Sequence, residues 1–135
     1  MPLVTAHKNA TLDAMLGTGA TLLNSTLEMG LSTTTPTADG TNITEPSAGG
    51  YTRVTLANTN AVWAPAAAGI KTNAADVIFP EATAGWGLIT HWIIYSLGVP
   101  KIVGILDNGS GIATPLDVIT GKVPRFLASA IRVEF

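Results

Sequence analysis

Residues 88–97, LITHWIIYSL, constrain the fold more than any other part of the chain. Side chains alternate across a strand, so Leu88, Thr90, Trp92 and Ile94 share one face and Ile89, His91, Ile93 and Tyr95 the other. Both faces are mostly apolar, and such a strand must lie inside a sheet or under a partner. Residues 98–100 (Gly-Val-Pro) turn the chain, and 101–106 return it as a second strand. Shorter runs surround this pair. Residues 20–33 are rich in Thr and Leu and read as a first long strand. In 51–56, Thr52, Val54 and Leu56 share a face, and 76–79 form a short strand stopped by Pro80. In 127–135, Leu127, Ile131, Val133 and Phe135 point one way and Ala128, Ala130, Arg132 and Glu134 the other. Asp107-Asn108-Gly109-Ser110-Gly111 reads as a tight hairpin turn. One short helix is expected near the start, capped by Thr5 or Asn9, with Leu12, Met15 and Leu16 at helical spacing and Gly17 and Gly19 ending it. The pattern predicts an all-β chain, an antiparallel β-sandwich of jelly-roll type with one short N-terminal helix. Trp92, Ile94, Val54, Leu56, Val77, Phe79, Ile131 and Val133 are expected to meet in one core.

At 135 residues the chain is expected to form one domain, residues 1–135, with both ends built into the fold. Such a domain buries enough surface to need no staple, and the absence of cysteine excludes a disulfide framework, a thiolate metal site and cysteine catalysis. Charged residues make up 12% of the chain, about half the usual ~25%. With a net charge of −2, the surface is largely Thr, Asn, Ser, Ala and Gly. It is either a lightly charged Thr-rich β surface or one that spends its life against neighbours. No run reaches the ~18 apolar residues of a membrane span, no secretory leader is evident, and the scattered Lys and Arg leave no nucleic-acid footprint.

Residues 34–50 hold Pro36, Asp39-Gly40, Pro46 and Gly49-Gly50, with Ile43 as the one large apolar side chain. A loop this long is usually functional or disordered. Its ordering entropy, ~1–2 kcal/mol per residue, calls for something outside the domain to hold it. Residues 57–69 read as irregular, with Trp63 as the expected interface anchor. Trp86, flanked by Gly85 and Gly87, either plugs one end of the sandwich or anchors an interface. The expected interface residues are thus Trp63, Trp86, Ile43, Pro36 and Pro46.

No constellation for chemistry is visible. His7 and His91 lack a second ligand at metal spacing, and His91 reads as a structural residue inside an apolar strand. No nucleophile elbow surrounds a serine. Gly17-Thr18-Gly19 and Gly109-Ser110-Gly111 do not extend to a nucleotide-binding fingerprint, and Asp107, Asn108 and Asp117 lack the spaced acidic ladder of a calcium loop. The sequence predicts no catalytic residue, no metal and no cofactor.

Several stretches together resemble a widespread group of small phage virion proteins, described as tail-fibre-like or head-fibre proteins. Phe79-Pro80, then Ala82-Thr83-Ala84-Gly85-Trp86-Gly87, then Thr90-His91-Trp92 carry the closest likeness. Asn9-Ala10 with Leu12-Asp13, Gly50-Tyr51 with Arg53-Val54, and the closing Phe126-Leu127-Ala128-Ser129-Ala130-Ile131 extend it, in order, over nearly the whole chain. Departures lie at Tyr95-Ser96-Leu97-Gly98, which lacks an acidic residue, and at Ser129, where the group tends to have Gly. The resemblance implies a virion component without catalysis. One expectation is a capsid decoration or cement protein on the major capsid protein, stabilising the shell by binding only its assembled form. The alternative is a tail-associated fibre or receptor-binding protein. Either way the expected partners are copies of itself, with a trimer as the guess, and neither nucleic acid nor membrane.

Overall fold

The computed structural model describes residues 4–108 and 112–134. Its elements are α1 (Thr5–Met15), β1 (Thr26–Ser32), β2 (Val54–Ala57), β3 (Ile70–Thr72), β4 (Val77–Ile78), β5 (Gly87–Ile89), β6 (His91–Ser96), β7 (Val99–Ile105), β8 (Leu116–Val118), β9 (Arg125–Phe126) and β10 (Arg132–Glu134). The chain is all-β with one short N-terminal helix and antiparallel ladders, as the pattern predicts. It groups into two compact units: unit 1 holds residues 1–27, 56–77 and 126–135, and unit 2 holds residues 28–55 and 78–125.

Unit 2 carries most of a four-stranded sheet of order β2-β1-β6-β7. The strand that is apolar on both faces, β6, is an inner one, and Trp92 to Ser96 are all buried. It pairs antiparallel with β7, Trp92 opposite Gly104 and Ile94 opposite Ile102. A Cβ at Gly104 would collide with the Trp92 indole, so the glycine makes room for that ring. The connecting turn is Leu97-Gly98, at φ 52° and 77°, the two-residue turn whose twist matches the strands it joins. Pro100, expected in the turn, instead sits in β7, an edge strand where a missing N–H costs little. A register shift at Ile94/Tyr95 leaves Lys101 as the extra residue of a bulge.

In unit 1, α1 packs on β3, and β3 pairs antiparallel with β10, Val133 opposite Lys71. The helix starts at Thr5 with Val4 in the cap position and no side-chain cap; Asn9 lies inside it. It ends where the Leu16 N–H donates to the Leu12 carbonyl and Gly17 turns at φ 125°.

The eight residues expected in one core divide evenly: Leu56, Val77, Ile131 and Val133 are in unit 1 and Val54, Phe79, Trp92 and Ile94 in unit 2. Seven are buried and Val54 is half-buried. The expected closing strand is broken. Ser129 adopts φ 70° and the Ala130 N–H donates back to the Leu127 carbonyl, so the chain turns there. Leu127 is consequently 56% exposed while Ile131 and Val133 are buried. Phe135 and the Gly109-Ser110-Gly111 part of the predicted hairpin turn lie outside the described residues. On the flanks of that turn Asp107 bridges Ala113 antiparallel.

Candidate functional site

Trp63 lies in unit 1 with none of its surface exposed. The anchoring role expected of it is therefore not one this conformation offers: a neighbour would find no part of the side chain to cover. Its indole N–H is buried without a hydrogen-bond partner. The other four expected interface residues are in unit 2. Pro36, Ile43 and Pro46 are half-buried, and Trp86 is 5% exposed.

The expectation that residues 34–50 need an outside partner to be ordered is also corrected, because the loop closes on its own hydrogen bonds. The Thr33 N–H donates to the Thr44 carbonyl at 2.9 Å, and the Thr44 N–H to the Ser32 hydroxyl at 3.1 Å. Asn42 donates its amide to the Thr35 carbonyl at 2.9 Å. At the tip, Asp39 accepts from the Thr37 and Thr41 hydroxyls, which hold its carboxyl below the ordinary range. The Thr and Asn side chains that made the loop look solvent-directed are the groups that fasten it.

The loop is fixed at its far end by Glu45. Its Oε1 accepts from the Tyr51 hydroxyl at 2.6 Å and from Arg53 Nε at 3.0 Å, and its Oε2 from Arg53 Nη2 at 2.8 Å. Arg53 also reaches Glu28 at 3.4 Å and lies 3.6 Å over the Tyr95 ring, a stacked cation–π contact. Burial alone would raise the Glu45 carboxyl, but the Arg53 and Tyr51 hydrogen bonds and the Arg53 charge hold it below its usual range. Burial and the Glu45 carboxylate push the Tyr51 phenol up, so it stays a donor. Tyr51 in turn accepts from the Leu31 N–H at 3.0 Å, stacks on Phe79 and meets Trp86 edge-on at 5.2 Å. Gly30 leaves the space this cluster fills, since a Cβ there would lie 2.7 Å from Glu45 Oε1. Trp86 closes the arrangement by donating its indole N–H to the Gly49 carbonyl at 2.8 Å.

Beside the cluster a shallow cavity of about 240 Å³ is lined by Thr33, Thr44, Glu45, Ser47, Gly85 and Trp86 among others. A second, of about 170 Å³, lies between the 37–40 tip and Pro100, Lys101 and Val103 of β7.

In unit 1 the polar side chains hold turns. On α1, Asn9 accepts from the Gly69 N–H at 2.8 Å, and one turn later Asp13 accepts from the Ala66 N–H at 2.9 Å and from Lys71 Nζ at 2.7 Å. Leu12 between them is buried. The Asn9–Asp13 motif is thus a clamp on the 66–71 turn. Lys71 is buried and Asp13 half-exposed. Asn58 accepts from the Gly17 N–H and donates to the Met15 and Asn24 carbonyls. Asn73 accepts from the Ile131 N–H and donates to the Ala75 and Leu127 carbonyls. Nothing in the sequence distinguished these two asparagines from those in turns. Glu45 carried a weak signal: it and Asp39 are the only acids in 34–50, with Arg53 shortly after.

His91, the more buried histidine, pairs its Nδ1 with the Thr90 hydroxyl at 2.8 Å, and burial lowers its pKa. Among the described residues no cluster of three or more His, Asp or Glu is placed to hold a metal ion, and no helix is long and apolar enough to cross a membrane.

What these features define is an all-β chain whose polar side chains secure its own loops. The family model described as Podophage GP4 fiber I protein gp80 matches residues 2–134, and the chain belongs to that family. It is accordingly a phage virion structural protein of the fibre-like kind. No curated protein matches the chain.

Proposed function

We propose that the chain works by assembly rather than by chemistry, as a fibre-type subunit borne on the phage tail and packed against copies of itself. The observation that carries this reading is the division of its side chains. The polar groups are engaged in internal clamps, while large apolar side chains stand exposed on unit 2, among them Leu97 at 80%, Ile119 at 60% and Leu88 at 52%. Exposed apolar side chains mark a contact surface where they adjoin, and Val103 and Ile105, two residues apart on β7, share one exposed face. The family's description as a fibre protein supports the tail placement. No side chain is assigned a catalytic role.

A second reading is decoration of the capsid shell, in contact with the major capsid protein. It is favoured by the brevity of the elements: among the described residues the longest helix has 11 residues and the longest strands 7, which do not make a shaft. Copy number and position on the intact particle separate the two. By symmetry a tail location gives about three to twelve copies and a shell location hundreds. Density for the chain at the tail by cryo-microscopy, with a matching count by quantitative mass spectrometry, is the expected result; density spread over the shell would replace the first reading with the second.

A further inference from the structure

We infer that β7 pairs antiparallel with β7 of a second copy, across a twofold axis and in a register centred on Gly104. The inference rests on the proposed packing of the chain against copies of itself and names where that contact forms. Among the described residues β7 ends its sheet, with β6 on one side and no strand on the other. Backbone N–H and C=O groups alternate sides along a strand. The Leu106 N–H donates to the Thr90 carbonyl at 2.9 Å, Gly104 lies opposite Trp92, and Ile102 lies opposite Ile94. Leu106, Gly104 and Ile102 therefore turn their backbone groups to β6, and Val103 and Ile105 turn theirs to the open edge. The earlier part of the strand is closed to a partner. Pro100 has no N–H to offer, and Lys101 is bulged. The 37–40 tip also stands against Pro100, where a Cβ on Gly40 would lie 3.5 Å from the proline Cβ.

The second copy is the occupant because this edge complements itself. Centred on Gly104, the pairing sets Val103 of each chain opposite Ile105 of the other, and each of these pairs exchanges both its backbone bonds. The same register sets Lys101 opposite Asp107 of the second copy, twice by symmetry, and both residues are exposed. A shift of two residues one way sets Ile105 opposite Lys101, and the other way sets Val103 opposite Asp107. Either shift puts a charge against an apolar side chain and gives up the ion pairs. A shift of one residue sets outward backbone groups against inward ones and loses the bonds. The charges fix the register more than they add affinity, because exposed ion pairs are worth little. Val103 and Ile105, 40% and 46% exposed, supply the apolar contact. Such a contact is isologous and joins chains in pairs, not in threes.

The test uses the full chain, which has no cysteine of its own, so any disulfide is an introduced one. Val103→Cys and Ile105→Cys are made as separate variants. Both sites are exposed, so neither change opens the core. The Cα atoms of a hydrogen-bonded antiparallel pair lie ~5.5 Å apart, within the span of a disulfide. In a glutathione redox buffer the two variants mixed should form a disulfide-linked dimer, read on a non-reducing gel, while each variant alone stays unlinked. Linkage of either variant alone to the level of the mixture overturns the register, and no linkage in any sample overturns the pairing. Sedimentation velocity of the parent chain over a range of concentrations separates this contact from the broader reading. A parent that associates while the mixture stays unlinked sinks the β7 contact and leaves self-packing standing. A parent that is monomeric throughout sinks both.

Discussion

In unit 1 the buried asparagines face backbone. Asn58 and Asn73 each satisfy three main-chain groups, and Asp13 shares its Oδ1 between a backbone N–H and Lys71. In unit 2 the Ser32 hydroxyl also meets backbone, but Glu45, Tyr51 and Arg53 face one another in a side-chain network with Tyr95, Phe79 and Trp86 stacked around it. The surfaces differ as well. Of the large apolar side chains that stand exposed, unit 1 has Val4, Leu22 and Leu127, while the rest, including four at residues 97–105, belong to unit 2. An amide in a turn fixes one geometry of the chain and has little further use. A carboxylate–guanidinium–phenol cluster fixes a loop by joining side chains of separate segments. Unit 1 is fastened mainly side chain to backbone, and unit 2 has a side-chain network besides.

The largest effect should come from the core of unit 1. Trp63→Ala should cost ~3–5 kcal/mol, the usual penalty for emptying a large buried site, read as a lowered urea midpoint. Trp63→Phe should cost distinctly less, since it also removes an indole N–H that now lies buried without a partner. A Trp63→Ala chain of parental stability would break the picture of unit 1 as the packed scaffold.

Next comes the amide that holds three backbone groups. Each such hydrogen bond contributes about 1 kcal/mol, so Asn73→Ala should destabilise by about 2–4 kcal/mol. Amide hydrogen exchange at Ile131, whose N–H donates to Asn73 Oδ1, should accelerate along with it. A change confined to Ile131 without loss of stability would reduce Asn73 to a local tether.

Acid should act on unit 2 through Glu45. Its folded pKa lies below the ordinary 4.5, so the stability it contributes is complete above pH 4.5 and is lost as the pH falls through the folded value. His91, depressed from 6.5 by burial, works in the same direction at higher pH, since the folded state favours its neutral form. Asp13 in unit 1 is also lowered, but its side chain is 49% exposed and solvent screens it. Glu45→Gln should therefore lose stability at neutral pH and show a flatter decline below pH 4.5, with the His91 portion unchanged. An identical acid profile in parent and variant would move the origin of acid sensitivity elsewhere.

Much of this architecture was legible because it rests on period-two patterning. Trp92 to Tyr95 declared an inner strand, and Val77, Phe79, Ile131 and Val133 declared inward faces. The order of loop 34–50 is not legible in the sequence, because it comes from Thr, Asn and Glu side chains bonding to partners set by the fold, and a polar residue looks the same in sequence whether it meets water or a carbonyl. Tyr51 and Arg53 fall in a run that alternates like a strand, yet β2 begins only at Val54. The sequence pattern puts Leu127 on one face with Ile131 and Val133, and nothing in it announces that Ser129 takes a positive φ. The burial of Trp63 is likewise not legible in residues 57–69, since what encloses an indole is set by residues distant in the chain.

The smallest effect on the folded chain, and the one that bears most on assembly, concerns the edge strand β7. An unpaired edge invites another strand, and proteins blunt it with Pro, Lys or a bulge. All three devices occur in the first half of β7, at Pro100 and at the bulged Lys101. The second half has none of them, and Val103 and Ile105 there are 40% and 46% exposed. That asymmetry leaves one short stretch of edge unprotected, and under the proposed self-assembly a strand of a second copy would add there. Val103→Lys should change stability by no more than about 0.5 kcal/mol, as exposed substitutions generally do. It should nevertheless reduce self-association, measured by sedimentation velocity over a range of protein concentrations. If the variant is folded and associates as the parent does, the open half of β7 is not the contact. The exposed Leu88 and Ile119, on unit 2 but outside this strand, then become the residues to change.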